Sequence, residues 1–292
     1  MCTILIKSAG KFLEWIKNVP NDGLIHCRSL GHQRTLLLAT TPEVAKQVLN
    51  ENAYDYAKNE VTRSFLRRFL GDGLVVVEGN QHKLQRKAVS PAFSGKHIKD
   101  LVPLMWTKSK EFVNVIAQKT QLPEHNGVIE VSSVASHVTL DIIGVACLGR
   151  DFKTLYNDDD ELARTYETIL NPENRQLQKF FFCNIILGAT ITNLLPWKMV
   201  KTVADCEKTL RRICKQLLVE GRESISKDSK DVDILSVMLR SSVELSEDDL
   251  IAQLLTFLAA GHETTSAALT WYVDVLSICS TFTNHPSGTA TY

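Results

Sequence analysis

Long hydrophobic runs are missing from this sequence. The N-terminal Met1-Cys2-Thr3-Ile4-Leu5-Ile6-Lys7 offers an apolar run of at most five residues, too short for a signal-peptide core or a membrane span. The longest apolar stretch, Leu250 to Ala260, is also too short to cross a bilayer, and Gly261-His262-Glu263 interrupts it. No membrane anchor is expected in this chain, which as written reads as cytoplasmic. An excess of charge is missing too. Lys plus Arg and Asp plus Glu both total 33, so there is no overall field to gather a polyanion, and nucleic acid is excluded as a general partner. Cysteine is unpatterned: the seven thiols at 2, 27, 147, 183, 206, 214 and 279 contain no C-x-x-C pair and are odd in number. Neither a zinc ribbon nor a disulfide framework fits, and a reducing compartment follows. Cys206 and Cys214 lie eight apart on one predicted helix face and read as buried apolar thiols.

What is present is the composition of a packed protein. With 292 residues, 44% hydrophobic and 23% charged, the chain suits one large domain or part of a bigger one, and disorder, collagen and multi-span membrane architectures are excluded. Leu24 to Leu30, Gly31-His32-Gln33-Arg34 and Thr35 to Thr40 predict two strands around a four-residue turn. Thr41-Pro42-Glu43 then supplies the capping hydroxyl, first-turn proline and early acid of a helix. Beyond it helical periodicity dominates. Ile98, Leu101, Val102, Met105, Phe112, Val113 and Ile116 keep an i, i+3, i+4, i+7 rhythm, as do Met199, Val203, Cys206, Leu210, Ile213 and Leu217. Lys119 to Gly127 reads as a surface loop, and Ser133 to Leu148 as a helix closed by Gly149. Asp158-Asp159-Asp160-Glu161 places acids at a helix start, where the dipole favours them. Arg222 to Asp231 reads as a solvated linker.

Ser246, Asp249 and the pair Leu245 and Leu250 predict a capped and stapled helix start. From Ser246 the pattern runs to about Leu276, roughly 45 Å of helix. In its middle Ala260-Gly261-His262-Glu263-Thr264-Thr265 forms a polar break. Small residues at 259, 260 and 261 leave room for something flat, and Thr264 is placed to turn its hydroxyl back to the carbonyl of residue 260 and open the helix locally. His262-Glu263 begins like H-E-x-x-H, but residue 266 is serine, so no zinc site is expected. Gly71-Asp72-Gly73 begins like a dinucleotide loop, but residue 76 is valine.

The sequence Ala260-Gly261-His262-Glu263-Thr264-Thr265 resembles the oxygen-binding helix signature of the cytochrome P-450 family, with Trp271 where many members carry one. A second match lies upstream. Glu78-Gly79-Asn80-Gln81-His82-Lys83-Leu84-Gln85-Arg86-Lys87, followed by Ser90-Pro91-Ala92-Phe93-Ser94, resembles the helix that closes over a haem propionate. His82 and Arg86 lie one turn apart there, and a porphyrin carboxylate wants a guanidinium with a second donor beside it. Pro20-Asn21-Asp22-Gly23-Leu24-Ile25, Asp141-Ile142-Ile143-Gly144 and Gly149-Arg150-Asp151-Phe152 extend the resemblance to roughly residues 12 to 276.

The resemblance implies a mainly α fold with a small β-hairpin near the N-terminus, an incomplete cytochrome P-450 fold over residues 1–276, and a disordered tail over 277–292 that is foreign to the family. It implies haem as cofactor, an NADPH-dependent reductase and a small apolar organic substrate as partners, and insertion of one oxygen atom of O₂. Thr264 would stabilise the iron-bound peroxide, Glu263 would relay protons, Ala260 with Gly261 would border the oxygen pocket, and His82 with Arg86 would hold a propionate. Members are often anchored to the endoplasmic reticulum.

The departure is on the metal side. In the family's later half, beyond the long helix, stand an E-x-x-R pair and an F-x-x-G-x-x-x-C loop whose cysteine ligates iron; neither follows Leu276 here, so no metal ligand is assigned. The expected state is a truncated relative, inactive alone, its tail arising from a premature stop, a frameshift or an unspliced intron. The rivals are an active monooxygenase completed by a longer product or second chain, and a haem-free helical binding protein. Phe180-Phe181-Phe182 and Ile185-Ile186-Leu187 fall where the family roofs its pocket. The fragment is also expected to leave about four or five of Ile251, Leu254, Phe257, Leu258, Leu269 and Trp271 wet, at about 1.5 to 3 kcal/mol each.

Overall fold

A computed structural model describes residues 11–28, 35–122, 127–157, 159–170, 179–180, 182–183, 192, 198–226, 233–241 and 243–278. Residues 1–63 with 172–199 form one compact unit, and 64–171 with 200–292 a second.

In the first unit, strands β1 (Leu24–Arg28) and β2 (Thr35–Ala39) pair antiparallel, from Leu24 opposite Ala39 to Arg28 opposite Thr35. The expected turn at 31–34 lies outside the described residues. Thr40 donates its amide to the Gly23 carbonyl at 2.9 Å and its hydroxyl to Asn21 Oδ1 at 2.5 Å. Gly23 has φ +117°, and a Cβ there would meet Val44 at 2.9 Å, so only glycine serves at this corner. Helix α1 (Pro42–Lys46) starts as expected, with Thr41 Oγ1 accepting from the Val44 amide, and continues into a π-wound stretch, Gln47–Glu51. Phe180 is buried and Phe182 exposed; the other four residues expected to roof a pocket lie outside the described residues.

The elements that follow among the described residues are helical: α2 (Glu60–Leu70), α3 (Gly79–Val89) with a 3-10 turn (Ser90–Phe93), α4 (Gly95–Gln121), α5 (Val131–Leu148), α6 (Glu161–Leu170), α7 (Lys198–Ser226), α8 (Ile234–Leu239) and α9 (Glu247–Ile278). Among the described residues the fold is mainly α with one antiparallel strand pair, as expected. The core of the second unit joins Leu140 and Cys147 of α5, Leu162 and Tyr166 of α6, Leu210, Cys214 and Leu218 of α7, Leu235 and Met238 of α8, and Leu250 to Leu258 along α9. Helix α5 is long and apolar enough by length and composition to cross a membrane, and 61% of it is buried within the protein. Its hydrophobicity is that of a central core helix, sheathed by α4, α8 and α9.

The ends follow local chemistry. Gly149 closes α5 with φ +65°, and Asp160 caps α6 by accepting from the Leu162 and Ala163 amides at 2.9 and 3.1 Å. Ser246 and Asp249 form the reciprocal box that opens α9, with Asp249 N on Ser246 Oγ at 3.1 Å and Ser246 N on Asp249 Oδ2 at 3.3 Å. Helix α7 runs to Ser226, so the first half of the expected linker at 222–231 is helix; residues 227–231 lie outside the described residues. Residues 279–292 of the expected tail lie outside them too.

The inward stripe of α4 differs from the expected one. Val102 and Val113 are exposed, and the buried positions are Leu101, Lys108, Phe112 and Val115. A charged residue hides that stripe from a hydrophobic pattern. Lys108 is 4% exposed, and its Nζ donates to Glu111 at 2.9 Å and Asp151 at 2.7 Å. Asp141 of α5, fully buried, likewise accepts from Thr154 N, Thr154 Oγ1 and Leu155 N at 2.8, 2.9 and 3.3 Å, fastening the turn after the helix. Burial of this carboxyl raises its pKa despite those bonds.

Candidate functional site

Helix α9 changes character at its middle. Leu250, Ile251, Leu254, Leu255 and Leu258 are buried against α5, α7 and α8, which corrects the expectation that four or five of the six residues named above would be wet: Trp271 alone of them is exposed. Burying five such side chains contributes on the order of 10 kcal/mol. From Ala260 onward one side of the helix opens. Ala260, Glu263, Thr264, Ala267, Ala268, Trp271, Tyr272 and Val275 are exposed, with Trp271 at 57% and Val275 at 52%, while Phe257 and Leu269 are half-buried. At 100° per residue, Ala260, Thr264, Ala268, Trp271 and Val275 form one stripe, narrow at 260 and 268 where the side chains are methyls.

Thr264 donates its hydroxyl to the Ala260 carbonyl at 2.6 Å, as its position suggested. The helix does not open there: it stays α from 247 to 278. The added hydroxyl bond leaves the peptide ladder intact, and the opposite face is clamped to α5. Glu263 stands beside Thr264, and desolvation raises its carboxyl above the ordinary glutamate value. The residue as a whole remains exposed, so its carboxyl is shielded from water on one side only.

That opposite face is built by His262. Its Nε2 lies 2.6 Å from Ser136 Oγ, its carbonyl accepts from Thr139 Oγ1 at 3.1 Å, and its ring sits 5.4 Å from that of Tyr166. Burial first, and the nearby His137 second, push its pKa down to about 4, so the imidazole is neutral. Gly261 faces α5 as well, where a Cβ would fall 2.5 Å from Ile143 Cδ1. Glycine at 261 therefore has a packing reason: it lets α9 and α5 approach at the step beside Glu263 and Thr264.

Helix α3 carries His82, half-buried, and Arg86, exposed, one turn apart, with Gln85, Ala88 and Val89 buried. Just beyond it Phe93 meets Phe257 of α9, ring centroids 5.4 Å apart, one turn before Gly261. The buried edge of α3 reaches α9 through Gln85, whose Oε1 accepts from Gln253 Nε2 at 2.8 Å. Sequence reasoning missed these two glutamines. The available signal was Gln253 itself, an amide inside the apolar run Leu250 to Ala260.

Cys147 and Cys214 are buried in α5 and α7; burial pushes the Cys147 thiol far up and that of Cys214 up to about 12. Cys206 is half-buried rather than fully buried.

Comparison with known proteins follows the same lines. A family model described as Cytochrome P450 matches residues 17–276. Cytochrome P450 monooxygenase sphH of Aspergillus fumigatus is 36% identical over 269 residues, covering 90% of this chain and 49% of that protein. Cytochrome P450 monooxygenase FUM15 of Gibberella moniliformis is 36% identical over 276 residues, with 90% and 46% covered. Cytochrome P450 monooxygenase buaD of Petromyces alliaceus is 34% identical over 260 residues, with 88% and 48% covered. The chain spans about half the length of the curated relatives it matches. Similarity that extends from residue 17 to 276 takes in both the α3 motif and the open half of α9, and the chain belongs to the cytochrome P450 family.

Proposed function

We propose that this chain supplies the oxygen-side wall and the carboxylate grip of a haem monooxygenase acting on a small apolar organic substrate, with electrons from an NADPH-dependent reductase. The observation that carries the reading is the change along α9, buried through Leu258 and then open from Ala260 to Val275. A contiguous apolar stripe of this kind marks a surface meant to be covered. Its small residues suit a flat macrocycle, and Arg86 with His82 suits the carboxylates at that macrocycle's edge. The residues present therefore fit the haem on this side. When bound through a cysteine thiolate, haem supplies the activation and cleavage of O₂.

This chain's own residues then have defined tasks. Ala260 and the peptide of Gly261 border the oxygen pocket. Thr264 keeps its hydroxyl proton in the bond to the Ala260 carbonyl and presents Oγ1 to the stripe. Glu263, with its raised carboxyl, takes and returns a proton closer to neutrality than an ordinary glutamate, which suits a relay from water to Thr264. The thiolate is a different matter. The thiols of Cys147 and Cys214 are buried and shifted away from ionisation, opposite to what a ligating thiolate needs. None of the seven cysteines stands in an F-x-x-G-x-x-x-C context either, so the donor is assigned to polypeptide outside these 292 residues, and the chain alone is catalytically silent.

A carbon monoxide difference spectrum tests this. Purified chain with added haem, reduced under carbon monoxide, should lack the thiolate-type Soret band, and with reductase and NADPH it should hydroxylate nothing. A thiolate band would overturn the assignment. Zinc protoporphyrin should quench indole emission in the wild type and less in Trp271→Phe; equal quenching would place the porphyrin away from the stripe.

A further inference from the structure

The junction of α3 and α9 is polar where a core would serve. Gln85 and Gln253 are each 0% exposed. Gln253 Nε2 donates to Gln85 Oε1 at 2.8 Å, and Gln85 Nε2 donates to the Asp72 carbonyl at 2.9 Å and to Asp249 Oδ1 at 3.0 Å. Gln253 Oε1 accepts from the Leu74 amide at 3.2 Å. Asp249 is already held by the box with Ser246. Four bonds thus gather helix α3, the start of α9 and the segment Asp72 to Leu74 at one buried point. That segment is drawn in close: a Cβ on Gly73 would fall 2.6 Å from the Ala252 carbonyl oxygen and closer still to Thr256 Oγ1.

An apolar pair would join two helices as firmly, because a net hydrogen bond adds little to stability and an unmade one costs much. What the amides add is direction. Each carboxamide is planar, with donors and acceptor at fixed angles, so the bonds are all made at one rotation of α3 about its axis. Gln85 sits between His82 and Arg86 in the chain, three residues after one and one before the other. A roll of α3 that breaks its bonds swings both.

We propose that Gln85 and Gln253 are positioning residues: the buried amide pair sets the rotation of α3 on α9 and so aims Arg86 and His82 at the carboxylates of their ligand. The inference rests on the carboxylate grip proposed above. Its test uses the full chain with zinc protoporphyrin IX and the dimethyl ester of the same porphyrin, which differ at the carboxylates alone. The variants are Gln85→Leu, Gln253→Leu and the double replacement, which strands no amide side chain.

The wild type should bind the diacid about tenfold or more tightly than the ester, the scale of a charge-assisted pair. Arg86→Ala should abolish that preference. In the folded glutamine variants it should fall to about twofold, and exchange of the Leu74 amide hydrogen should rise about tenfold or more in Gln253→Leu. A loosened core alone would weaken both porphyrins equally and leave their ratio intact. A ratio kept in the folded variants, while Arg86→Ala removes it, overturns the positioning role and spares the grip. No preference in the wild type, or uptake of neither porphyrin, removes the grip and the inference with it. If no variant folds, the pair serves the core rather than the aim of α3, and the inference is wrong.

Discussion

Acidification from pH 7.5 to 4.5 puts one buried imidazole under load. His262 is 3% exposed, faces Ser136 and His137 of α5 and Tyr166 of α6, and has its pKa pushed from 6.5 down to about 4, chiefly by desolvation. Because the folded value lies below the unfolded one, the unfolded chain takes up the proton first as pH falls. The stability linked to this group is therefore complete above pH 6.5 and drains away on the way down to 4. Worked through the linkage relation, the loss relative to pH 7.5 is about 1.3 kcal/mol at pH 5.5 and about 2.5 kcal/mol at pH 4.5. In a chain of this size the larger figure lowers the melting temperature by about 5 to 10 °C. The assay is urea unfolding followed by circular dichroism at pH 7.5, 6.5, 5.5 and 4.5, for the wild type and for His262→Asn, which cannot titrate in this range. The variant should be less stable at pH 7.5, having lost its packing on Tyr166, but its stability should fall less steeply. Other groups, including Asp141 with its raised carboxyl, are common to both proteins and cancel in the difference. Equal pH slopes would show that His262 is not held neutral, and the reading of the α5 and α9 contact would be wrong.

Two further outcomes can be checked with the same protein. Gly261→Ala places a Cβ 2.5 Å from Ile143 Cδ1 and 2.8 Å from Cγ1, an overpacking of about 1 to 3 kcal/mol against a helix-propensity gain of about 1 kcal/mol. Thermal unfolding should show a net loss, and adding Ile143→Val, which removes the closest atom, should recover part of it. For the thiols, Ellman's reagent should react with half-buried Cys27 and Cys206 in the folded protein, and with Cys147 and Cys214 only as fast as the protein unfolds.

Much of this architecture is local chemistry and was legible for that reason. The hairpin, the Thr41 and Ser246 helix starts and the αL glycine at 149 each depend on residues within a few positions of one another. The inward face of α4 was misread because Lys108 belongs to it, and a buried lysine makes sense only once Asp151, far along the chain, is seen to meet it. The glycines of Gly71-Asp72-Gly73 looked like a fragment of a nucleotide loop. They are needed because Ala252 and Thr256 of α9 press against that segment.

The sequence by itself determined which residues carry polar chemistry along α9 and which family they match, since a signature and a helical period survive without any knowledge of neighbours. Tertiary structure alone decided how those residues divide. His262 and Gly261 turn inward to α5, while Ala260, Glu263 and Thr264 turn outward. The helix wheel sets only the angle between them; which side is core depends on where α5 lies, and that is a long-range packing fact no local pattern encodes.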